Sequence, residues 1–277
     1  MKLDVVYVGD AAAAMKTNIP NDSIDLTVTS PPYNEMRSYD NKGFSWEDFS
    51  NIAQELYRIT KPGGVVVWIV GDQTKDGSET LTSLKQALYF KDECGFRVHD
   101  TMIYEKAGFS NPGNVRYHQT WEYMFVLSKN KPKTFNPIKD RPNKYAGQSR
   151  RGTNFKRQKT GELVAAKQTA PYGEFGMRFN VWRYAVGKVN STPDDIAFKH
   201  PAIFPEKLAL DHILSWSNEN DIVLDPMAGS GTTLKMAALN NRHFIGIERH
   251  CDYVDNILIE RLSQHGIKAI VDKTLIL

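Results

Sequence analysis

Cysteine is scarce. Cys94 and Cys251 lie far apart in a chain of 277 residues, with no CxxC pair and no histidine cluster at metal-ligand spacing. That excludes a disulfide framework and a zinc site of ordinary spacing, and predicts reduced, structural thiols and no metal. Long apolar runs are missing too: Ala11 to Met15 is too short for a signal core and nothing approaches membrane-spanning length, so a cytoplasmic protein without membrane contact is expected. A third absence lies in the glycine-rich segment Asp225-Pro226-Met227-Ala228-Gly229-Ser230-Gly231-Thr232-Thr233. No lysine follows Gly231, as a phosphate-binding P-loop requires, and Leu234 stands where a dinucleotide fingerprint has its third glycine. Neither phosphate ligand is favoured.

What is present describes a protein large enough to bury a full core, with 41% hydrophobic and 24% charged residues. The net charge of +3 conceals a division: between Lys129 and Lys159 eleven Lys or Arg face one acid, Asp140, so the remainder is net negative. Such blocks are often only solvated surface. Here Phe135, Tyr145 and Phe155 are interleaved with the cations, as a phosphate-binding surface with base-contacting side chains would have them.

The stretch Asp25 to Tyr33 alternates Leu26 and Val28 with Thr27 and Thr29, and reads as a short strand stopped by Pro31 and Pro32. The prolines fix φ, hold Ser30 extended and donate no hydrogen bond. What remains is a rigid row of acceptors, the Ser30 hydroxyl and the carbonyls of Ser30, Pro31 and Pro32, with the ring of Tyr33 at its end. That suits a planar amine-bearing ring such as a nucleobase. A plain turn with a packed tyrosine would be the better reading if the motif stood alone.

It does not stand alone. Asp221 to Thr233 reads as strand, glycine turn and helix start, and His243 to Glu248 as a second strand ending in an acid, the βαβ pattern of a nucleoside-binding half with Glu248 placed to accept ribose hydroxyls. The helix start after Gly231, with Ser230 and Thr232, suits a carboxylate. Leu3 to Val8 forms a further strand ending at Gly9-Asp10, where Asp10 caps a helix from Ala11. Ser45 opens a helix with Asp48 three residues on, and Phe49, Ile52, Ala53, Leu56 and Tyr57 form its apolar stripe. Val65 to Val70, Phe96 to Tyr104 and Tyr123 to Leu127 are strands, with a helix from Thr80 to Cys94. Helix-separated apolar strands predict an α/β, doubly wound, mostly parallel sheet whose ligands sit at the strands' carboxyl ends. Asn34 to Phe44 reads as a mobile loop, and Asn130 to Phe198 loses the strand–helix alternation.

The pair Thr29-Ser30-Pro31-Pro32-Tyr33 and Asp225 to Thr233, in that order, resembles the S-adenosylmethionine-dependent DNA amino-methyltransferases of the beta class, whose tetrapeptide is (D/N/S)PPY. The Ser form resembles the N4-cytosine branch more often than the N6-adenine branch. Matching stretches run from about Val5 to Lys129 and from about Lys199 to Glu260. The resemblance implies the class I methyltransferase (Rossmann-like) fold divided into a catalytic half, 1–129, an inserted target-recognition region, 130–198, and a cofactor half, 199–277. It implies catalytic roles for Ser30, Pro31, Pro32 and Tyr33. Cofactor contacts are implied at Asp10, Thr29, His200, Pro201, Phe204, Asp225, Pro226, Ala228, Gly229, Ser230, Gly231, Thr232, Thr233 and Glu248. DNA contacts are expected at Arg37, Lys144, Arg150, Arg151, Lys156 and Arg157. Double-stranded DNA is the expected partner; a second copy of the chain and a cognate restriction endonuclease are further candidates.

In the reaction so implied, acceptors held out of the ring plane by Ser30 and Pro31 restore the amine's lone pair. Methyl transfer precedes proton loss, since serine is too weak a base to deprotonate the amine first. An N6-adenine enzyme of the same mechanism and a non-catalytic binding module are the competing readings. Product identity separates the first, and the intact motifs speak against the second.

Overall fold

The computed structural model describes residues 1–32, 43–110, 116–148, 155–165 and 171–274. Tyr33, Arg37, Arg150, Arg151 and most of the expected mobile loop lie outside them. The chain divides into two compact units, one made of Met1–Asn136 with Asn180–Leu277, the other of Pro137–Phe179.

The larger unit is built on nine strands: β1 (Val5–Val8), β2 (Ile24–Thr29), β3 (Thr60–Val70), β4 (Arg97–Ser110), β5 (Gln119–Ser128), β6 (Val181–Tyr184), β7 (Ile222–Asp225), β8 (His243–Glu248) and β9 (Ile270–Asp272). They lie in the order β6-β4-β5-β3-β2-β7-β8-β1-β9. Neighbours are parallel except where β5 runs antiparallel between β3 and β4. The sheet is thus mostly parallel, as the sequence predicts. The short β6 was not foreseen, because it lies in a stretch without alternation and gains its strand identity by pairing with β4.

Parallel strands need both faces covered. Helices α1 (Ala11–Asn18), α2 (Trp46–Ile59) and α3 (Thr82–Asp92) share one core with Val66, Trp68 and Val70 of β3. The alternate residues Val65, Val67 and Ile69 are buried as well, and α4 (Glu206–Trp216) and α5 (Thr232–Leu239) pack on the sheet. Ser45 caps α2 reciprocally with Asp48, as expected from the capping-box pattern. Pro205 is the N-cap of α4 rather than its first helical residue. Near the C-terminus α6 (Cys251–Tyr253) passes through a π-turn, Val254–Leu258, into α7 (Ile259–Gln264).

The α2 stripe presents Phe49, Ile52, Ala53, Leu56 and Ile59 to the core, with Tyr57 only partly buried against it. Phe49 stands edge-on to Trp68 and Phe90 at centroid distances of 5.8 and 5.3 Å. The one polar atom of Trp68 is satisfied, its Nε1 donating to Gln86 Oε1 at 2.8 Å.

The smaller unit contains two hairpin ladders, Phe155–Arg157 with Leu163–Ala165 and Arg141–Pro142 with Phe175–Gly176. Tyr145, Phe155, Phe175 and Phe179 are exposed in it. Phe135 differs from the sequence expectation: it belongs to the larger unit and stacks on Trp216 with ring centroids 4.9 Å apart.

Leu56 is fully buried on α2, so Leu56→Ala should destabilise the protein by about 2–5 kcal/mol. A urea midpoint unmoved by the substitution would mean that α2 does not seal this face.

Candidate active site

Because β1, β2, β7 and β8 are parallel, their carboxyl ends meet on one edge of the sheet. A cleft of about 650 Å³ opens there. Asp10, Ser30, Pro31, Pro32, His200, Phe204, Pro226, Ala228, Gly229, Ser230, Thr232 and Glu248 all line it. Twelve residues singled out from separate stretches of sequence therefore share one cavity.

The glycine turn is shaped by its surroundings. Gly229 and Gly231 have φ of 51° and 79°, in the left-handed region that glycine enters at no steric cost. A Cβ on Gly229 would meet His200 Cε1 at 3.0 Å, and one on Gly231 would meet Leu258 Cγ at 3.0 Å. Glu248 fixes the turn from the side: its Oε2 accepts from the Gly229 N–H at 2.9 Å and its Oε1 from the His250 N–H at 2.9 Å. Burial raises the carboxyl above the usual carboxylate range, although these backbone donors oppose the rise. Each oxygen keeps a lone pair for a hydroxyl from the cleft. Asp10 combines two roles likewise, since Oδ1 caps α1 by accepting from Ala13 N at 2.9 Å while the residue lines the cleft.

Thr29, Asp225, Gly231 and Thr233 are buried behind the cleft wall rather than on it. Thr29 Oγ1 donates to Asp225 Oδ1 at 2.7 Å, and the same oxygen accepts from Met227 N at 3.1 Å. Thr233 Oγ1 donates to the Val28 carbonyl at 3.1 Å. These four residues build the wall. Pro201 is exposed and does not line the cleft. Lys144 and Arg157 are exposed on the smaller unit.

Other residues of the site carry no local sequence signal. The fully buried Arg261 of α7 donates from NH1 to the Ser230 carbonyl at 3.0 Å and to Thr232 Oγ1 at 3.0 Å, bracing the turn from behind. Its remaining nitrogens meet Asp194 at 2.8 Å and Glu206 at 2.7 Å, and Lys235 reaches the same two acids at 2.7 Å. Burial alone would raise the Asp194 carboxyl, but hydrogen bonds from Arg261, Lys235 and His265 hold it far below the usual range. At the other end of the cleft stand Phe44, Ile52, Tyr104, Lys106 and Glu122.

Asp225 generates a pH dependence. Burial pushes its carboxyl up to about 6, with Glu248 adding to the rise and the hydrogen bonds from Thr29, Met227 and Thr233 opposing it. Between about pH 4 and 6 the unfolded chain therefore loses this proton before the folded one does, and stability falls as pH rises through that window, by about 3 kcal/mol. Asp225→Asn keeps an acceptor oxygen and removes the charge. Denaturant titrations at about pH 4 and 7, either side of that window, should show a smaller loss in Asp225→Asn than in the wild type; equal losses would discount the raised carboxyl.

The sequence profile of the DNA methylase family, which joins N6- and N4-methyltransferases, matches residues 24–260. The orphan methyltransferase M.BamHII of Bacillus amyloliquefaciens is 57% identical over 251 residues, covering 91% of this chain and 93% of its own. Among solved structures, the PvuII DNA methyltransferase, described as cytosine-N4-specific, superposes with a TM-score of 0.64 at 19% identity, over 96% of this chain and 94% of that one. TTHA0409, a DNA modification methylase of Thermus thermophilus crystallised with S-adenosyl-L-methionine, superposes with a TM-score of 0.60 at 23% identity, over 97% of this chain and 98% of its own. At such identities the structural likeness is one of fold. With the profile spanning most of the chain and a relative identical at more than half the aligned positions, the chain belongs to the S-adenosylmethionine-dependent DNA methylase family and is a site-specific DNA methyltransferase.

Proposed function

We propose that the chain transfers a methyl group from S-adenosylmethionine to the exocyclic N4 amine of a cytosine flipped out of duplex DNA. The observation that carries this reading is that the acceptor row Ser30-Pro31-Pro32 opens on the same cleft as Asp10, the glycine turn and Glu248. The cleft's volume lies within the range of roughly 300–1,000 Å³ usual for ligand sites. Its donor set fits a nucleoside bearing an amino acid: Glu248 for the ribose hydroxyls, Asp10 for the adenine amine, and Ser230 and Thr232 for the carboxylate.

S-adenosylmethionine supplies a methyl group already activated on a sulfonium. The protein's task is therefore alignment and activation of the amine. Ser30 Oγ and the Pro31 carbonyl accept the two N–H bonds out of the ring plane and draw the nitrogen toward pyramidal geometry. Proton loss follows transfer, to water, because no strong base is needed once the nitrogen is cationic. Tyr33, assigned from sequence, supplies the face on which the flipped base stacks. Ser30 favours cytosine over adenine; the same row of acceptors would serve an N6-adenine enzyme. The basic unit carrying Lys144, Arg150, Arg151, Lys156 and Arg157 is the proposed target-recognition region, aided by Arg37. Among the described residues no helix is long and apolar enough to cross a membrane, in keeping with a cytoplasmic enzyme. A homodimer and a cognate endonuclease remain proposed partners.

Digesting methylated DNA to nucleosides and identifying the product by mass tests the base: N4-methylcytosine is expected, and N6-methyladenine would reverse the assignment. Ser30→Ala should lower single-turnover rate while affinity for cofactor and DNA stays near wild type, because the interaction strengthens only in the transition state. An undiminished rate would remove Ser30 from the chemistry. Tyr33→Ala should lose about 1–3 kcal/mol of base stabilisation and Tyr33→Phe should keep most activity; equal damage would defeat stacking. Neutralising Arg150, Arg151, Lys156 and Arg157 together should flatten the slope of log K against log salt by roughly 0.9 for each phosphate no longer neutralised. A wild-type slope would mean that DNA lies elsewhere.

A further inference from the structure

The cleft extends well beyond the acceptor row. Its cofactor half lies over β1, β8 and β7, where Asp10, Glu248 and the glycine turn stand, and Ser30 follows β2 near the middle of the sheet. On the far side come β3, then β5 and β4, the strands that carry Glu122 and Lys106 into the same cavity. From β2 to β5 is two strand spacings, roughly 10 Å. A base whose amine meets Ser30 and faces the methyl donor must extend its ring toward that side.

The far wall is built for a charged pair. Lys106 Nζ forms an ion pair with Glu122 Oε1; the Lys106 side chain is 29% exposed and that of Glu122 only 9%. Gly71, just past β3, makes room for the acid: a Cβ there would meet Glu122 Cγ at 3.2 Å. The ammonium also lies 5.9 Å from the centre of the Tyr104 ring. An ammonium has three donors, and Glu122 Oε1 takes one of them.

We propose that Lys106 reads the ring edge of the target cytosine, donating to the N3 and O2 acceptors beside the amine, and that Glu122 positions the ammonium and neutralises its charge. The inference rests on the cytosine reading above. Cytosine offers two adjacent acceptors next to its amine, and a rotatable donor group suits them. A lone cation there would oppose the positive charge that builds on the base as the amine is methylated; paired with Glu122 it donates without that opposition. Lys106 is thus a base-contacting residue and Glu122 a positioning one.

The test is single-turnover methylation of duplexes carrying cytosine or 3-deazacytosine, which lacks the N3 acceptor, at the target position. Wild-type enzyme should be roughly ten- to a hundred-fold slower on the analogue, as for loss of a hydrogen bond to a charged donor. Lys106→Met should be slow on both, with the ratio between them falling to near one, which a merely structural role would not produce. Glu122→Gln should lower the rate with little change in KM for DNA. A wild-type ratio near one overturns the proposal without any variant; so does a ratio retained in Lys106→Met, or a wild-type rate in Glu122→Gln. If wild-type enzyme yields N4-methylcytosine but the ratio survives in Lys106→Met, this inference alone fails, whereas N6-methyladenine as the product would overturn it together with the cytosine reading.

Discussion

The two halves of the sheet are joined at the seam between β2 and β7, and the site depends on that seam being tight. The backbone ladder there is short, pairing Val223 with Leu26 and Leu224 with Thr27. Side chains extend it at both ends. Asp25 accepts from the Ile222 N–H at 3.0 Å at one end, and the Thr29–Asp225 and Thr233–Val28 bonds close the other. Ser30 and Pro226, the next residues along each strand, are thereby held side by side at the mouth of the cleft. A carboxylate is a costly choice for so buried a joint. One of its oxygens, however, takes both the hydroxyl of the neighbouring strand and the first amide of the glycine turn, so a single atom ties the acceptor row to the cofactor turn. The strand order reverses at this seam, the topological position at which ligands gather in open α/β sheets.

Behind the turn lies a second constraint of a different kind. Asp194, Glu206, Lys235, Arg261 and His265 form an ionic cluster in which the acids and bases are mutually bonded. Buried pairs of this sort add little net stability compared with apolar packing, but losing one member strands its partner's charge. The cluster therefore acts as an all-or-none brace. Through Arg261 it transmits that rigidity to Ser230 and Thr232, residues that no packing of methyl groups would hold as firmly in one orientation.

What the sequence disclosed follows the range of the forces involved. The proline-stopped strand, the glycine turn, the capped α2 and the acids at strand ends were legible because φ restrictions, caps and periodicity act over a few residues. The fold class followed from their alternation. Lys106, Glu122 and Arg261 were not legible: each acquires its place from partners 16 to 69 positions away in sequence, and no local pattern marks them. The antiparallel sense of β5 was hidden for the same reason, since a buried apolar strand reads alike in either direction. Asp225 was legible as part of the turn but not in its role, because a sequence does not distinguish an acid facing a ligand from one facing the neighbouring strand.

The π-turn at Val254–Leu258 has a consequence for how this family of chains can change. A π-turn holds one residue more than an α-turn would in the same rise, and single residues inserted into a helix are absorbed in this way. Here Tyr253, on the entering side, meets the rings of His200 and His250, while Arg261, on the leaving side, braces the glycine turn. The helix thus touches the cleft's rim and the back of its wall on either side of an internal expansion joint. The two contacts need not share one helical phase, so each can be tuned by substitution without turning the other out of register.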